Sequence, residues 1–374
     1  MKDLKTRPAG CRAVRRVGMR KTLISVLLVL LLLGILAYAF RAPLSLVVAQ
    51  RVAASRMAAD ATAELADGLH IGLCGAGSPF PDDRRSGPCT LVVAGQRLFV
   101  FDSGGGSARN IGKMGFNTGR IEAIFLTHFH SDHIDGLGEL MLQRWVSVAN
   151  TTPVPVHGPV GVEQVVAGFM QAYGLDRQYR VAHHGEATVP GTGFGGQAMP
   201  FQTGAPGRQV VLKDTDLEIV AFKVDHAPVH PAVGYRISYK GRSLVISGDT
   251  KPSPAVQREA TGVDVLLHEA LSAPLIGLLR DAAAQARRPN LVKVMDDVVD
   301  YHSSPEEAAK IARQAGVRLL LLHHIAPPLP LPGMEQAFLG SARDIYAGPI
   351  RVGSDGDFVS LPAGSRSVDV SRRF

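Results

Sequence analysis

Residues 127 to 136 read Thr-His-Phe-His-Ser-Asp-His-Ile-Asp-Gly, placing five metal-capable side chains within eight positions. His128 and His130 alternate, so on an extended backbone both point the same way and can hold one ion, while Asp132 and the adjacent His133 reach a second. Two divalent ions about 3.5–4 Å apart can share a bridging hydroxide and steady both the attacking and the leaving oxygen of a hydrolysis. The plain alternative is a His-rich surface turn, since short motifs also arise by chance. Against it stands the apolar run Ile124-Phe125-Leu126, which reads as a buried strand delivering these residues to a loop.

Further chemistry-bearing residues follow the same pattern. His226 comes after the alternating run 217–224, Asp249 after Leu244-Val-Ile-Ser-Gly, Glu269 after Val265-Leu-Leu-His268, and His324 after Leu319-Leu-Leu-Leu. Open α/β sheets place ligand sites at the carboxyl ends of their strands, so these positions are expected along one edge. His302 stands just before Ser304-Pro305-Glu306-Glu307, a capping box that starts a rigid helix. His230 rivals His226 as a ligand and is expected to face the cleft or solvent. His157 is expected to pack at a strand end, and His183-His184 to lie in an exposed loop within 180–210. The Gly75-Ala76-Gly77 turn is a weak dinucleotide signal, because no helix follows it.

The set His128-x-His130-x-Asp132-His133, with His226, Asp249 and His324, resembles the metallo-β-lactamase superfamily over roughly residues 68–360. The resemblance is strongest to its ribonuclease Z-like and arylsulfatase-like branch, through Gly234-Tyr235-Arg236, His268-Glu269-Ala270 and His302-Ser303-Ser304. It implies an α/β fold, a four-layer αββα sandwich. It also implies that His128, His130 and His226 hold one metal, that Asp132, His133 and His324 hold another, and that Asp249 bridges them. Asp132 would orient the nucleophile and accept its proton. Glu269 and His302 would form a proton-donating pair near the leaving group, or would instead only orient His324. Asp102, before three glycines, would be a supporting carboxylate rather than a ligand. An oxygen and nitrogen donor set without thiolate suits two Zn ions and tolerates Mn or Fe. A flavodiiron reductase would carry a glutamate in the metal loop and a flavodoxin domain, and neither is seen.

The 374 residues, 46% hydrophobic and 20% charged with 40 Gly and 24 Pro, describe a loop-rich α/β protein rather than a disordered one. Residues 1–21 hold eight Lys or Arg against Asp3, which equals the whole-chain +7, so residues 22–374 sum to zero. A neutral body argues against a polyanion binder, whose phosphate contacts need a basic face. Residues 22–40 are 19 uncharged, mostly apolar positions, close to the roughly 20 that span a bilayer. The basic residues before them put the N-terminus inside. A cleaved signal ending at Ala37-Tyr38-Ala39 is the rival, yet the run exceeds the usual ~7–15 residue h-region. The organisation expected is a basic cytoplasmic tail (1–21), a transmembrane anchor or uncleaved signal (22–40), a juxtamembrane linker or amphipathic helix (41–66), a hydrolase domain (67–362) and a C-terminal tail (363–374). Either export route places the catalytic body outside the cytoplasm, at the inner membrane facing the periplasm or secreted. There Cys74 and Cys89 could bridge neighbouring strands, while Cys11 stays reduced.

Departures from the ribonuclease Z pattern steer the substrate expectation. The 176–210 segment is too short and neutral for a tRNA-gripping arm, and Ile325-Ala-Pro-Pro-Leu-Pro follows the last candidate ligand. The expectation is therefore hydrolysis of a small phosphodiester or sulfate ester, with nucleic acid disfavoured and a homodimer compatible. A lactonase or β-lactamase is the alternative within the class. A non-catalytic membrane-anchored scaffold is the alternative outside it, disfavoured because all seven ligand positions are present.

Overall fold

The computed structural model describes residues 11–58, 60–205 and 207–374. Lys2, Lys5 and Arg7 of the expected cytoplasmic tail lie outside the described residues. The chain divides into two compact units, residues 1–59 and 60–374. In the first, one helix spans Cys11–Ala39 and a second Arg41–Ala58. The stretch Lys21–Ala39 has a mean hydropathy of 2.7, long and apolar enough to cross a membrane by length and composition. Residues 41–58 are helical.

The second unit contains fifteen strands among the described residues: β1 Gly68–Gly75, β2 Cys89–Ala94, β3 Arg97–Phe101, β4 Ile121–Phe125, β5 Val154–Pro159, β6 Gly196–Phe201, β7 Arg208–Lys213, β8 Leu217–Lys223, β9 Val233–Tyr239, β10 Arg242–Ile246, β11 Val265–Leu271, β12 Leu319–Ala326, β13 Ile350–Val352, β14 Asp357–Pro362 and β15 Asp369–Arg372. They form an eight-stranded sheet, β15-β14-β1-β2-β3-β4-β5-β6, and a seven-stranded sheet, β13-β12-β11-β10-β9-β8-β7. Alternation decides the layering. In β11 and β12, Val265, Leu267, Leu319 and Leu321 meet Phe99, Phe101 and Phe125 of the other sheet, whereas Leu266, Leu320 and Leu322 meet the helix Pro305–Ala315. A third apolar cluster packs the eight-stranded sheet against the helices Leu137–Ser147 and Val162–Ala172. The order is helix, sheet, sheet, helix, as expected from the resemblance.

Several boundaries differ from the sequence reading. The compact unit begins at Asp60 rather than 67: Asp60 pairs with Arg120, and the Ala61 amide donates to Gly115 O. The tail 363–374 is part of the sheet, because β15 pairs with β14 and the buried Arg242 donates to the carbonyls of Ser365 and Ser367. The run 350–361 is two strands in two sheets, β13 and β14, separated by a turn at Gly356 with φ +86. The loop expected over 180–210 contains the end of a helix, Gly174–His184, and the edge strands β6 and β7. Edge strands lack the continuous burial that marks inner ones such as β1 and β12, and β6 carries Pro200, which an edge tolerates. Cys74 on β1 and Cys89 on β2 form a disulfide between neighbouring strands.

Candidate active site

Each candidate ligand leaves a strand that the two cores hold rigid. The segment after β4 carries His128 and His130 and turns into the short helix Ser131–Ile134, which presents Asp132 and His133. It rests on the three-glycine loop after Asp102: a Cβ at Gly104 would lie 2.4 Å from Asp132 O, so only glycine admits this approach. His226 follows β8 and Asp249 follows β10. His324 sits inside β12 at φ +49, where the β11–β12 register shifts, so the strand's alternation breaks and the side chain turns toward the site.

The side chains converge. Ligand atoms of His128, His130, His226 and Asp249 lie within 4.8 Å of one another, as do those of Asp132, His133 and His324. Asp249 Oδ2 is 3.3 Å from both His133 Nε2 and His324 Nε2, 3.8 Å from His128 Nε2 and 3.9 Å from His226 Nε2. It stands between the two groups, where a bridging carboxylate belongs. Asp132 Oδ2 is 3.2 Å from His324 Nε2. His128, His133, His226, His324 and Asp249 are buried, while half-buried His130 and Asp132 mark the open side.

Hydrogen bonds on the outer nitrogens fix which ring atoms face inward. Thr127 donates its amide and hydroxyl to Asp102 (2.8 and 2.9 Å), so its oxygen is left to accept from His128 Nδ1 at 3.0 Å. His133 Nδ1 donates to Asp102 Oδ2 at 2.9 Å, and His226 Nδ1 to the Tyr301 carbonyl at 2.9 Å. Asp102 is thus a supporting carboxylate, as expected.

These bonds provide a test of whether a cation fits. His128 Nε2 and His226 Nε2 both present lone pairs to His130 Nδ1, at 3.1 and 3.4 Å, and His130 can supply one proton at most. Such a cluster is repulsive without positive charge at its centre. His133 Nε2 and Asp249 Oδ1 are buried and complete no hydrogen bond among the described residues. The donor set therefore fits divalent metal ions.

Electrostatics agree. Burial, then the nearby His133, holds His128 well below its usual pKa, and burial also lowers His130 and His226, leaving neutral imidazoles fit to coordinate. At His133 burial opposes charge, but Asp249, Asp132 and Asp102 outweigh it and raise the pKa.

Glu269 and His302 meet. Glu269 Oε1 is 3.2 Å from His302 Nδ1 and accepts the Ser303 and Thr250 amides at 2.9 and 3.2 Å. Burial disfavours charge on His302, yet the Glu269 carboxylate lifts its pKa to about 9. The His302 ring stacks on His324 at 5.4 Å, and His302 lines a cavity of about 190 Å³ together with Asp132, Asp249 and His324. His302 thus touches both His324 and the open cavity, compatible with either role. The capping box at Ser304 is present.

The histidines that the sequence reading set aside stand apart. His230 is exposed, His157 stacks on Phe125 at 4.7 Å, and His183 and His184 end an exposed helix. What the sequence reading missed is the cavity wall. Phe80, Val298 and Tyr301 line it, and two helices, Ala273–Gln285 and Pro289–Val298, support that wall. Capping prolines at 274 and 289 could have marked their starts.

Comparison with known proteins follows the same lines. A family model described as a beta-lactamase superfamily domain matches residues 115–325, and one described as anti-Pycsar protein Apyc1 matches residues 69–160. The chain is 36% identical over 289 residues to ribonuclease Z of Mycolicibacterium gilvum (strain PYR-GCK), covering 77% of this chain and 94% of that one. It is 35% identical to ribonuclease Z of Mycobacterium bovis (strain BCG / Pasteur 1173P2), covering 77% and 96%. Among solved structures it resembles the metallo-β-lactamase fold protein YhfI from Bacillus subtilis, with TM-score 0.56, 19% identity and coverage of 79% and 100%. It also resembles the short form of human tRNase Z, with TM-score 0.55, 20% identity and coverage of 78% and 99%.

Proposed function

Because this chain belongs to the metallo-β-lactamase superfamily, as a metal-dependent hydrolase with ribonuclease Z relatives, we propose that it is a phosphodiesterase. The observation that carries the reading is the Asp249 oxygen within 3.9 Å of four inward imidazole nitrogens, beside a cavity that His302 also lines. Relatives named ribonuclease Z, matched over nearly their whole length, favour phosphorus over sulfur or a lactone carbonyl as the centre attacked. They also weigh against the expectation that nucleic acid is disfavoured and support a nucleotide ester as substrate: a neutral net charge limits extended phosphate contacts, but it leaves room for such an ester within the cavity.

His128, His130 and His226 would hold one divalent ion, Asp132, His133 and His324 the other, and Asp249 both; when bound, such ions polarise the ester and lower the pKa of water toward ~7. The chain's own residues do the rest. Asp132 stays ionised because, although burial opposes it, the His133 and His324 rings favour its charge, so it can orient a water and accept its proton. His302, held at Nδ1 by Glu269, keeps Nε2 for donation to the leaving oxygen. Phe80, Leu271 and Val298 exclude bulk water from one side.

We read the apolar helix Lys21–Ala39 as a membrane anchor with the catalytic unit on the outer side. Its hydropathy, the basic residues before it and the Cys74–Cys89 disulfide support this placement. The enzymatic reading is tested by assaying the purified full chain on bis(p-nitrophenyl) phosphate, short RNA, p-nitrophenyl sulfate and a lactone, with and without chelator. Chelator-sensitive hydrolysis of the phosphodiesters supports it. Turnover confined to the sulfate or the lactone refutes it.

A further inference from the structure

The 190 Å³ cavity does not end at the metal-binding cluster. A groove of about 510 Å³ lies beside it, lined by Ala227, Pro228 and Val294 and by the acidic Asp297 and Asp300. Two residues, Val298 and Tyr301, line both spaces. Together the spaces fall within the ~300–1,000 Å³ typical of small-ligand sites.

Tyr301 is placed to do two separate things. Its backbone carbonyl accepts from His226 Nδ1, a bond that any side chain at 301 would leave intact. Its ring stands edge-on to His226, with centroids 5.0 Å apart, and 4.7 Å from the ring of His302. The phenol makes no hydrogen bond among the described residues, and the ring, packed against His226 and His302 on one side, turns the rest of its half-exposed surface to the two spaces it lines. Val298 extends the same wall, held from behind by the cluster of Leu271, Ile276 and Ala326. A flat ring entering from the cluster meets this wall first.

Charge decides what can lie further out. Asp297 is already paired with Lys293, whereas Asp300 faces the groove with no cationic side chain bonded to it among the described residues. A second phosphate on this side would meet like charge, so a polynucleotide backbone is poorly accommodated there. An uncharged ring is not opposed.

We propose that Tyr301 and the adjoining groove bind the ring of one ester arm of the substrate, a nucleobase or aryl group whose phosphate sits at the metal-binding cluster and whose arm ends there without a further phosphate. The assignment rests on the phosphodiesterase reading and narrows it to esters with a single nucleoside or aryl unit on the His302 side. The contact is the ring face, since stacking on an aromatic side chain tolerates any base and is lost on alanine substitution.

The test is a calorimetric titration of the metal-loaded full chain with adenosine 5′-monophosphate and with ribose 5-phosphate, run beside turnover of bis(p-nitrophenyl) phosphate. The nucleotide is expected to bind about tenfold more tightly than the base-less sugar phosphate, Tyr301→Ala to erase that difference, and Tyr301→Phe to keep it. Equal affinity in the wild type, or a preference that survives Tyr301→Ala, overturns the proposal. A Tyr301-dependent preference in a chain that turns over no phosphodiester supports the groove while the phosphodiesterase reading fails. Asp300→Lys, on the exposed rim, provides an arm that does not depend on Tyr301→Ala folding: it is expected to tighten adenosine 3′,5′-bisphosphate several-fold, and an unchanged affinity contradicts the charge argument.

Discussion

Glu269 Oε1 lies 3.2 Å from His302 Nδ1 and 2.9 Å from the Ser303 amide, so one buried carboxylate oxygen sets both the imidazole and the entry to the helix behind it. If His302 delivers a proton to the leaving oxygen, His302→Ala costs most where that oxygen is a poor leaving group. A loss of ~10²-fold or more in kcat/KM is expected for alkyl-type phosphodiesters, and under about tenfold for p-nitrophenyl esters. Equal losses across leaving groups would assign His302 to orienting His324 alone.

Asp102 binds Thr127 and His133 but none of the inward-facing atoms. Removing it frees the His133 ring and leaves Thr127 without its acceptor, so Asp102→Ala is expected to weaken metal affinity by ~10–100-fold. Competition with a chromophoric chelator measures this. Affinity unchanged from wild type would mean that the strand ends alone orient the ligands.

Arg242 pairs with Asp264 in two bonds of 3.0 and 3.1 Å and donates to three carbonyls of the C-terminal segment, those of Pro362, Ser365 and Ser367. Its guanidinium is buried, so Arg242→Ala leaves the Asp264 carboxylate with only the Ser243 amide and the more distant Arg318, and removes a donor from each of those carbonyls. A cost of ~3–5 kcal/mol in urea unfolding is expected. A change below about 1 kcal/mol would show that residues 363–374 contribute little to the unit.

The disulfide between Cys74 and Cys89 closes a 15-residue separation. Chain-entropy reasoning puts its contribution at ~3 kcal/mol. The variant with Ser at both positions is expected to lose that much in the same unfolding experiment and to keep its metal content, because neither sulfur approaches the cluster's donor atoms.

Much of this architecture was legible in the residues because the inner strands carry unambiguous patterns. Continuous apolar runs such as Leu319–Leu322 can only be buried on both faces, and a chemistry-bearing residue directly after such a run must emerge at a sheet edge. The Ser304 capping box was equally plain, since its side-chain bonds are local. Where tertiary context decides, the sequence was silent. Nothing local separates 350–352 from 357–362 into different sheets; the turn is pinned by Asp355, which accepts amides from Ala76 and Ser86 far away in the chain. The helix Pro289–Val298, which buries no residue fully, had no place in the sequence reading, and the wall it supports around Tyr301 went unseen. Asp249 was expected as a ligand by resemblance, but only the folded chain places its oxygen among four imidazoles.

That placement is the central claim, and metal analysis of the purified full chain tests it most directly. Elemental analysis after dialysis against metal-free buffer is expected to find two divalent ions per chain in the wild type, and at most one, held more weakly, in Asp249→Ala. A wild type free of bound metal after purification with Zn present, or an Asp249→Ala variant that retains both ions at wild-type affinity, would contradict the account.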